Sequence, residues 1–456
     1  MIQFWGAREE RFDCAIFSAF ERRIMLLSII IGGATCLAMI LAVLFYPKIN
    51  IGRLSLSSYW VVTLVGAVLL LAAGLVDLRG VVDALLADTA INPLKILVLF
   101  ISMTLLSIYL DELGFFRYLA SVTLRRAGCS QTRLFFILYV TVSVLTVFTS
   151  NDIIILSFTP FICYFAKSAN ISPLPYLAAE FVAANTWSMA LIIGNPTNIY
   201  LVTAAGGDFI SYLITMLFPT LISGTVAFFC LHLAFHKKLS QPIDAQPEEV
   251  KIEDHVSLLV GIIHLAVCTV LLAVGSYIGL QMWLVALVSA LSLLTFTIIL
   301  SLVRKEVPVH TVASLKRAPW ELIPFIISMF VVVESLHTNG VTEQLYQLLN
   351  TSAPVWSYGV TSFLAANLIN NIPMSVLYSS ILSGGATEAA VYATVVGSNL
   401  GACLSPIGAL AGIMWSSFLK EHQLKFGYVD FLKLGCCVAI PALLVALATL
   451  GLVFWL

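Results

Sequence analysis

The chain has 456 residues, of which 60% are hydrophobic and only 10% charged, where soluble domains carry about 25% charged residues. Its net charge of -1 implies no bulk electrostatic partner, and basic residues form only short loop clusters, which argues against nucleic acid. Lipid rather than water therefore surrounds most of the surface, and the fold class is an all-α polytopic membrane protein. A bilayer core about 30 Å thick takes roughly 20 helical residues per crossing. The short alternating segments of a β-barrel are missing.

In chain order, residues 1–23 mix Arg8, Arg11, Arg22 and Arg23 with Glu9, Glu10, Asp13 and Glu21. They lack the basic-then-apolar pattern of a signal peptide and read as a surface segment. Spans follow at 24–46, 59–76 and 94–112. Residues 131–168 form an apolar segment with Ser150-Asn151-Asp152 at its middle. Two readings remain for it, a re-entrant hairpin with those residues at its tip or two ordinary spans. Spans at 178–204 and 209–235 complete a first repeat over 24–235. The first of these carries Asn185-Thr186 and is interrupted by Gly194-Asn195-Pro196-Thr197-Asn198. Proline removes a donor and glycine permits unusual dihedrals, so this break opens backbone groups at membrane depth.

Residues 236–255, with Lys237-Lys238, two prolines and Asp244, Glu248, Glu249, Glu253 and Asp254, read as a cytoplasmic linker. A second repeat, 256–456, has spans at 256–274, 277–303, 320–337, 388–416 and 431–455, for about 10 spanning helices in all. Its apolar segment 355–384 carries Asn370-Asn371-Ile372-Pro373 at its middle and has shorter arms, which favours a hairpin. Ser398-Asn399 and the break Ser405-Pro406-Ile407-Gly408 follow. The halves match in order: Ile101-Ser102-Met103 with Ile327-Ser328-Met329 and Gly114 with Gly340 share one offset, and Asn151 with Asn370 and Gly194 with Gly408 follow at smaller ones. Ordered matches mark an internal duplication. If the basic clusters after Asp111, in the linker and after residue 303 face the cytoplasm, the hairpins enter from opposite sides. The repeats are then inverted and both termini lie outside, a placement that the N-terminal arginines oppose.

Polar groups at membrane depth are costly unless satisfied. An isolated asparagine there serves as interhelical glue worth about 0.6–2 kcal/mol. Two matched sets beside glycine and proline breaks instead indicate a ligand site at a repeat interface. Helix N-termini offer free N–H groups to an anion, and opened carbonyls suit a cation. The candidate residues are Ser150, Asn151, Asp152, Asn185, Thr186, Gly194, Asn195, Thr197, Asn198, Asn370, Asn371, Pro373, Asn399, Ser405 and Gly408. No metal site is expected beyond a sodium ion at Asn151 or Asn370, and no cofactor beyond a coupling proton or sodium. Ionisable residues within spans are Asp111, Asp152, Glu180, Glu334, His264 and His337. Asp152 is the strongest carrier of coupling charge. Asp111 is either interfacial or part of the site, Glu180 is expected near the membrane surface, and Glu334 lies deeper. The nine cysteines read as packing, with Cys403 set apart by its place in the second motif. No nucleotide-binding loop, Ser-His-Asp order or HExxH motif occurs, so the chain is not expected to be an enzyme.

At these residues the sequence resembles the arsenite/antimonite permease family of the ion transporter superfamily. Leu110-Asp111-Glu112-Leu113-Gly114-Phe115-Phe116 is similar to its LLDESGFF. Thr149-Ser150-Asn151-Asp152 through Thr159-Pro160, Asn370-Asn371-Ile372-Pro373, and Gly397-Ser398-Asn399-Leu400-Gly401 through Leu410 resemble its other motifs. The chain departs from the family at Asn185, where it has an aspartate, and at Cys403, where it has a lysine. The resemblance implies inverted repeats, two re-entrant hairpins, a scaffold that dimerises, and a transport domain that moves like an elevator. It also implies that Asn151, Asp152, Asn370, Asn371 and Asn399 line the site.

The expectation is a multi-pass secondary transporter of the inner (plasma) membrane, moving a small anion or arsenite/antimonite on a proton or sodium gradient. The expected partners are the solute, the bilayer and a second copy. The alternatives are a sodium-coupled di- or tricarboxylate or sulfate symporter, a sodium/proton antiporter, and the channel subunit of an ATP-driven pump with an ATPase partner.

Overall fold

The computed structural model describes residues 2–46, 48–51, 54–87, 92–127, 130–241, 250–275 and 278–455. Asp244, Glu248 and Glu249 of the linker, and the charged side chains from Arg8 to Asp13, lie outside that description. Eight helices among the described residues are long and apolar enough to cross a membrane. The only strands there are the antiparallel pair Lys48–Ile51 and Leu54–Ser57.

The element order repeats. The first half begins with one unbroken helix, Ile2–Phe45, which runs through the expected boundary at residue 23. The strand pair, Ser58–Ala72 and Leu78–Leu86 follow, then Pro93–Glu112 and the short Phe115–Ala127. Two arms, Gln131–Phe148 and Asn151–Ser168, then meet at a tight turn. A helix broken between Leu174–Trp187 and Pro196–Ala204 comes next, and Phe209–Leu239 closes the half. The second half opens with His255–Gly275, Met282–Arg304 and Val309–Arg317. It then repeats the series as Leu322–Thr338, Val341–Leu349, arms Pro354–Ile369 and Asn371–Leu382, a helix broken between Glu388–Gly401 and Leu410–Glu421, and Tyr428–Trp455. The spans at 178–204 and 388–416 are thus each two helices, parted at the expected glycine and proline breaks.

Local chemistry sets these boundaries. Asn92 caps Pro93–Glu112: its Oδ1 accepts from the Leu94 and Lys95 amides, and its Nδ2 donates to the carbonyls of Leu85 and Ala87. Pro93 sits at the first helical position, where its missing N–H has no partner to lose. The helix ends at Gly114, whose φ of 79° is one that glycine tolerates best. Leu322–Thr338 ends the same way at Gly340, with a φ of 76°. Gly114 donates to the Asp111 carbonyl and Gly340 to that of His337. The Gly114–Gly340 match is therefore a match of backbone geometry, and it makes Asp111 and His337 repeat-related residues.

Pro93–Glu112 is enclosed almost throughout, whereas every other span buries half of its candidate window or less. Lipid-facing apolar residues concentrate on the outer helices, among them Val270, Val288, Leu302 and Val303. Inside, arm Pro354–Ile369 packs closely on Glu388–Gly401. A Cβ on Gly397 would lie 2.3 Å from the Gly359 carbonyl, and one on Gly401 would lie 2.9 Å from that of Phe363. Small residues four apart let helices approach in a setting where dispersion, not hydrophobic exclusion, drives their association.

Candidate functional site

Both arm pairs end inside the protein, beside the helix breaks. At the first tip Asn151 is 1% exposed, and its Nδ2 donates to Asn185 Oδ1 at 3.1 Å. Asn185 is itself fixed by donating to the Phe181 carbonyl one turn earlier. Asn151 Oδ1 has no partner, and neither have the buried hydroxyls of Ser150 and Thr186. The Cys403 thiol faces Thr186 from the second half. Asp152, in the first turn of the arm, is half-buried and makes no hydrogen bond among the described residues.

At the second tip Asn370 has φ 72° and ψ 152°, a region nearly confined to glycine and costing about 1–3 kcal/mol. The strain is held by two bonds: Nδ2 donates to the Ile407 carbonyl at 2.9 Å, and Oδ1 accepts from the Ile372 amide at 3.2 Å. Asn371 Oδ1 is buried without a partner. Pro373 lies in the first turn of its helix, where no intrahelical donor is lost.

The breaks are joined across the repeats by Asn399. Its Oδ1 accepts from Ser188 Oγ and from Asn195 Nδ2, each at 2.8 Å. Its Nδ2 donates to Asn198 Oδ1 at 2.6 Å and to the Val395 carbonyl at 2.8 Å. Asn198 in turn donates to the carbonyls of Ser188 and Leu191, which the break has freed. Asn195 Oδ1 caps the next helix at the Thr197 amide, while Thr197 Oγ1 and Ser398 Oγ lack partners. Gly194 packs on the Ser188 carbonyl and Gly408 on that of Gly401, so both breaks are tight folds of backbone.

Ser405 does not join this knot; it donates to Asn367 Oδ1, and Asn367 Nδ2 donates to the carbonyls of Phe363 and Gly401. Asn367 was missed in the sequence, although an asparagine three residues before the Asn370 pair in an apolar arm was the available signal.

The candidate residues therefore divide. Asn195, Asn198, Asn399, Ser405 and Asn370 are committed to internal bonds, and Asn185 is held between Asn151 and Phe181. Ser150, Asn151, Thr186, Thr197, Asn371 and Ser398 present unpartnered polar atoms. Asn370 lines a crevice of only about 10 Å³ with Met39, Tyr59, Phe325, Ile407 and Ile413, enough for about one water. Larger cavities of about 350 and 730 Å³ lie elsewhere, the first apolar beside Tyr139 and Phe228, the second polar around Asp254 and His310. They hold none of the candidate residues.

The ionisable residues also separate. Asp111 is buried, accepts from Ser157 Oγ at 2.7 Å and pairs with Arg317 at 2.9 Å; Arg317 also bridges to Glu112. Its repeat mate His337 contacts Ser380 on the second descending arm at 3.3 Å, and Thr342 at 2.9 Å. Glu180 is not near the surface: it is 0% exposed, and its carboxyl oxygens lie 3.1 and 3.0 Å from Thr159 Oγ1. Helix Leu174–Trp187 is buried along nearly its whole length, which carries Glu180 inside with it. Glu334 is half-buried beside Thr338, and His264 bonds the Val260 carbonyl and Ser292. The described cysteines are all free thiols. Outside the spans, partial burial raises the Asp254 carboxyl, but Arg304 at 2.6 Å and Ser257 outweigh it and hold it well below the usual carboxylate range.

A helical bundle with two arm tips and two broken helices converging on buried amides is the architecture of a membrane transporter. Solved structures agree on the fold. The Alcanivorax borkumensis YdaH transporter superposes with a TM-score of 0.54 over 94% of this chain and 98% of its own, at 14% identity. Neisseria gonorrhoeae MtrF does so with a TM-score of 0.50 over 94% and 97%, also at 14% identity. The chain belongs to the CitMHS family, described as citrate transporter, whose model matches residues 37–394. Within the ion transporter superfamily it is 31% identical over 449 residues to the Arsenical pump membrane protein of Escherichia coli (strain K12), spanning 93% of this chain and 98% of that one. It is a transporter and not an enzyme.

Proposed function

We propose that the chain is a secondary active transporter of the inner membrane that moves a small, oxygen-rich, neutral or singly charged solute of the arsenite/antimonite class, driven by the proton gradient. One observation carries this reading: the unpartnered atoms at the site are amide oxygens and hydroxyls, and no lysine or arginine is buried among the described residues. A trihydroxide such as arsenite donates O–H groups to those acceptors and brings no charge that needs neutralising. A tricarboxylate would demand cations that the side chains do not supply, and burying unpaired charge is costly. The site is closed around the tips, so loading requires the arms to move against the broken helices. Alternating access of inverted repeats, with an elevator-like transport domain in a homodimer, fits that requirement.

The second reading is a sodium-coupled carboxylate or sulfate symporter. It is favoured by the citrate-transporter family match and by the orphan oxygens of Asn151 and Asn371, which suit a sodium ion. The test is flux into proteoliposomes of arsenite, antimonite, citrate and sulfate, each under a proton gradient or a sodium gradient. Arsenite or antimonite flux driven by protons is the expected result, abolished by Asn151→Ala with the protein still folded. Sodium-driven citrate or sulfate flux alone would overturn the first reading for the second. Flux that appears only with ATP and a partner ATPase would overturn both.

A further inference from the structure

We infer that Glu180, which lies outside the solute-binding motifs, is the group that takes up and releases the coupling proton, and that its proton holds the first hairpin's descending arm against the broken helix. The inference rests on the proton-driven reading above. Glu180 is fully enclosed, and among the described residues its hydrogen-bonding partner is Thr159, whose hydroxyl lies at near-equal distances from both carboxyl oxygens and whose backbone also bonds the carboxyl. A hydroxyl has one hydrogen and can donate it to one of those oxygens. The second contact becomes a full bond when the carboxyl carries a proton and donates it to the hydroxyl oxygen, so the pair matches a carboxylic acid with its hydroxyl in a two-way exchange.

Among the described residues no cation faces the group. The descending arm presents Thr159 and Cys163, with Asp152 half-buried near its tip and Lys167 exposed at its far end, and Arg133 on the arm Gln131–Phe148 is exposed as well. On its own helix, Tyr176 donates to Gln131 of the neighbouring arm. On Phe209–Leu239, His232 stacks on Phe228, while His236, Lys237 and Lys238 are exposed. Glu388 is the one charged residue of Glu388–Gly401 and is exposed at its start. Lys420, Asp430 and Lys433, on the elements whose Trp415 and Phe431 pack on Phe181, are exposed too. An ionised Glu180 in this place would be a charge without a partner, which buried carboxylates in membrane segments escape by carrying protons.

Position supplies the coupling. Asn151 and Thr159 lie on one arm, about two helical turns apart, and bond Asn185 and Glu180 on one facing helix. The two contacts are rungs between the same pair of elements, one at the solute site and one below it. When the arm parts from the helix, water reaches the carboxyl and takes its proton; the anion that remains is hydrated, keeps the arm away and leaves the Asn151 tip free. Rebinding a proton restores the neutral acid and the docked arm. The step breaks one O–H bond and parts the two rung hydrogen bonds, and no other covalent bond changes.

The experiment compares wild type with Glu180→Gln, which mimics the protonated acid, and Glu180→Asp in proteoliposomes carrying an internal pH indicator, with arsenite and citrate as probes. Wild type is expected to move protons with one of the two. Glu180→Gln should keep solute–solute exchange but lose at least tenfold in gradient-driven accumulation and show flat pH dependence; Glu180→Asp should keep coupling with a displaced pH profile. Coupled transport by Glu180→Gln at the wild-type level overturns this inference alone, and a wild type that moves no protons with either probe overturns the proton-driven reading with it. Should Glu180→Gln fail to fold, the protonated-carboxyl band in the infrared spectrum of wild type decides. It should be present at neutral pH and shift in Thr159→Val, and its absence from wild type, or a band unmoved in Thr159→Val, overturns the inference.

Discussion

Two asparagines of the second half illustrate how the same residue type does opposite work. Asn399 is saturated, with both amide ends engaged on two repeats, whereas Asn371 has a buried oxygen bonded to nothing. Removing a saturated buried amide strands its partners, each at about 1–3 kcal/mol. Asn399→Ala should therefore lower the unfolding temperature in detergent strongly, with a loss of roughly 2–4 kcal/mol. Asn371→Ala should cost under about 1 kcal/mol, because no bond is lost, yet abolish solute flux. Equal thermal losses in the two variants would remove the distinction between knot and site. The sequence flagged both residues, because asparagine at membrane depth is conspicuous. It could not sort them, since the partners of Asn399 lie some 200 positions earlier in the chain. Glu180 was misplaced for a related reason: its depth depends on packing around Leu174–Trp187, which no local pattern encodes.

Among elements, the repeat-related ends of Pro93–Glu112 and Leu322–Thr338 each touch the descending arm of the hairpin in their own half, through Asp111–Ser157 and His337–Ser380. If the arms move during transport, these contacts must part. A double variant, Asp111→Cys with Ser157→Cys, should form a disulfide on oxidation, stop flux, and regain it on reduction. Undiminished flux in the oxidised protein would show that the arm does not leave this helix. At the outer edge, Asp254 and Arg304 close the ends of His255–Gly275 and Met282–Arg304. The Asp254 carboxyl is depressed in the folded state, so its contribution is present above the unfolded value near about 3.9 and is lost as pH falls through the folded value. Partial exposure keeps it to about 1 kcal/mol or less. Acid denaturation curves of Asp254→Asn should accordingly show a smaller loss of stability below about pH 4 than wild type. Most of this level was legible in the sequence: the arms, the breaks and the paired glycine stops follow from apolar run lengths and from proline and glycine chemistry. The Asp111–Arg317 pair was not, because it closes between the two halves.

For the molecule as a whole, the halves are held together by contacts rather than by the chain between them. Asn399 reaches Ser188, Asn195 and Asn198, Tyr212 packs edge-on against Tyr392 at 5.4 Å, and Glu321 accepts from the Ser57 amide and Tyr59. Fragments 1–241 and 250–456, produced together in one cell, should therefore assemble and restore flux, while either alone should not. Failure of the pair to co-purify would show that the covalent link is needed. The repeated element order was foreshadowed by ordered matches in the sequence, but the contacts between the halves were not. Without Asn399 the broken helix of the first half loses the side chain that fixes Asn195 and Asn198, so neither half carries a complete set of polar contacts when taken alone.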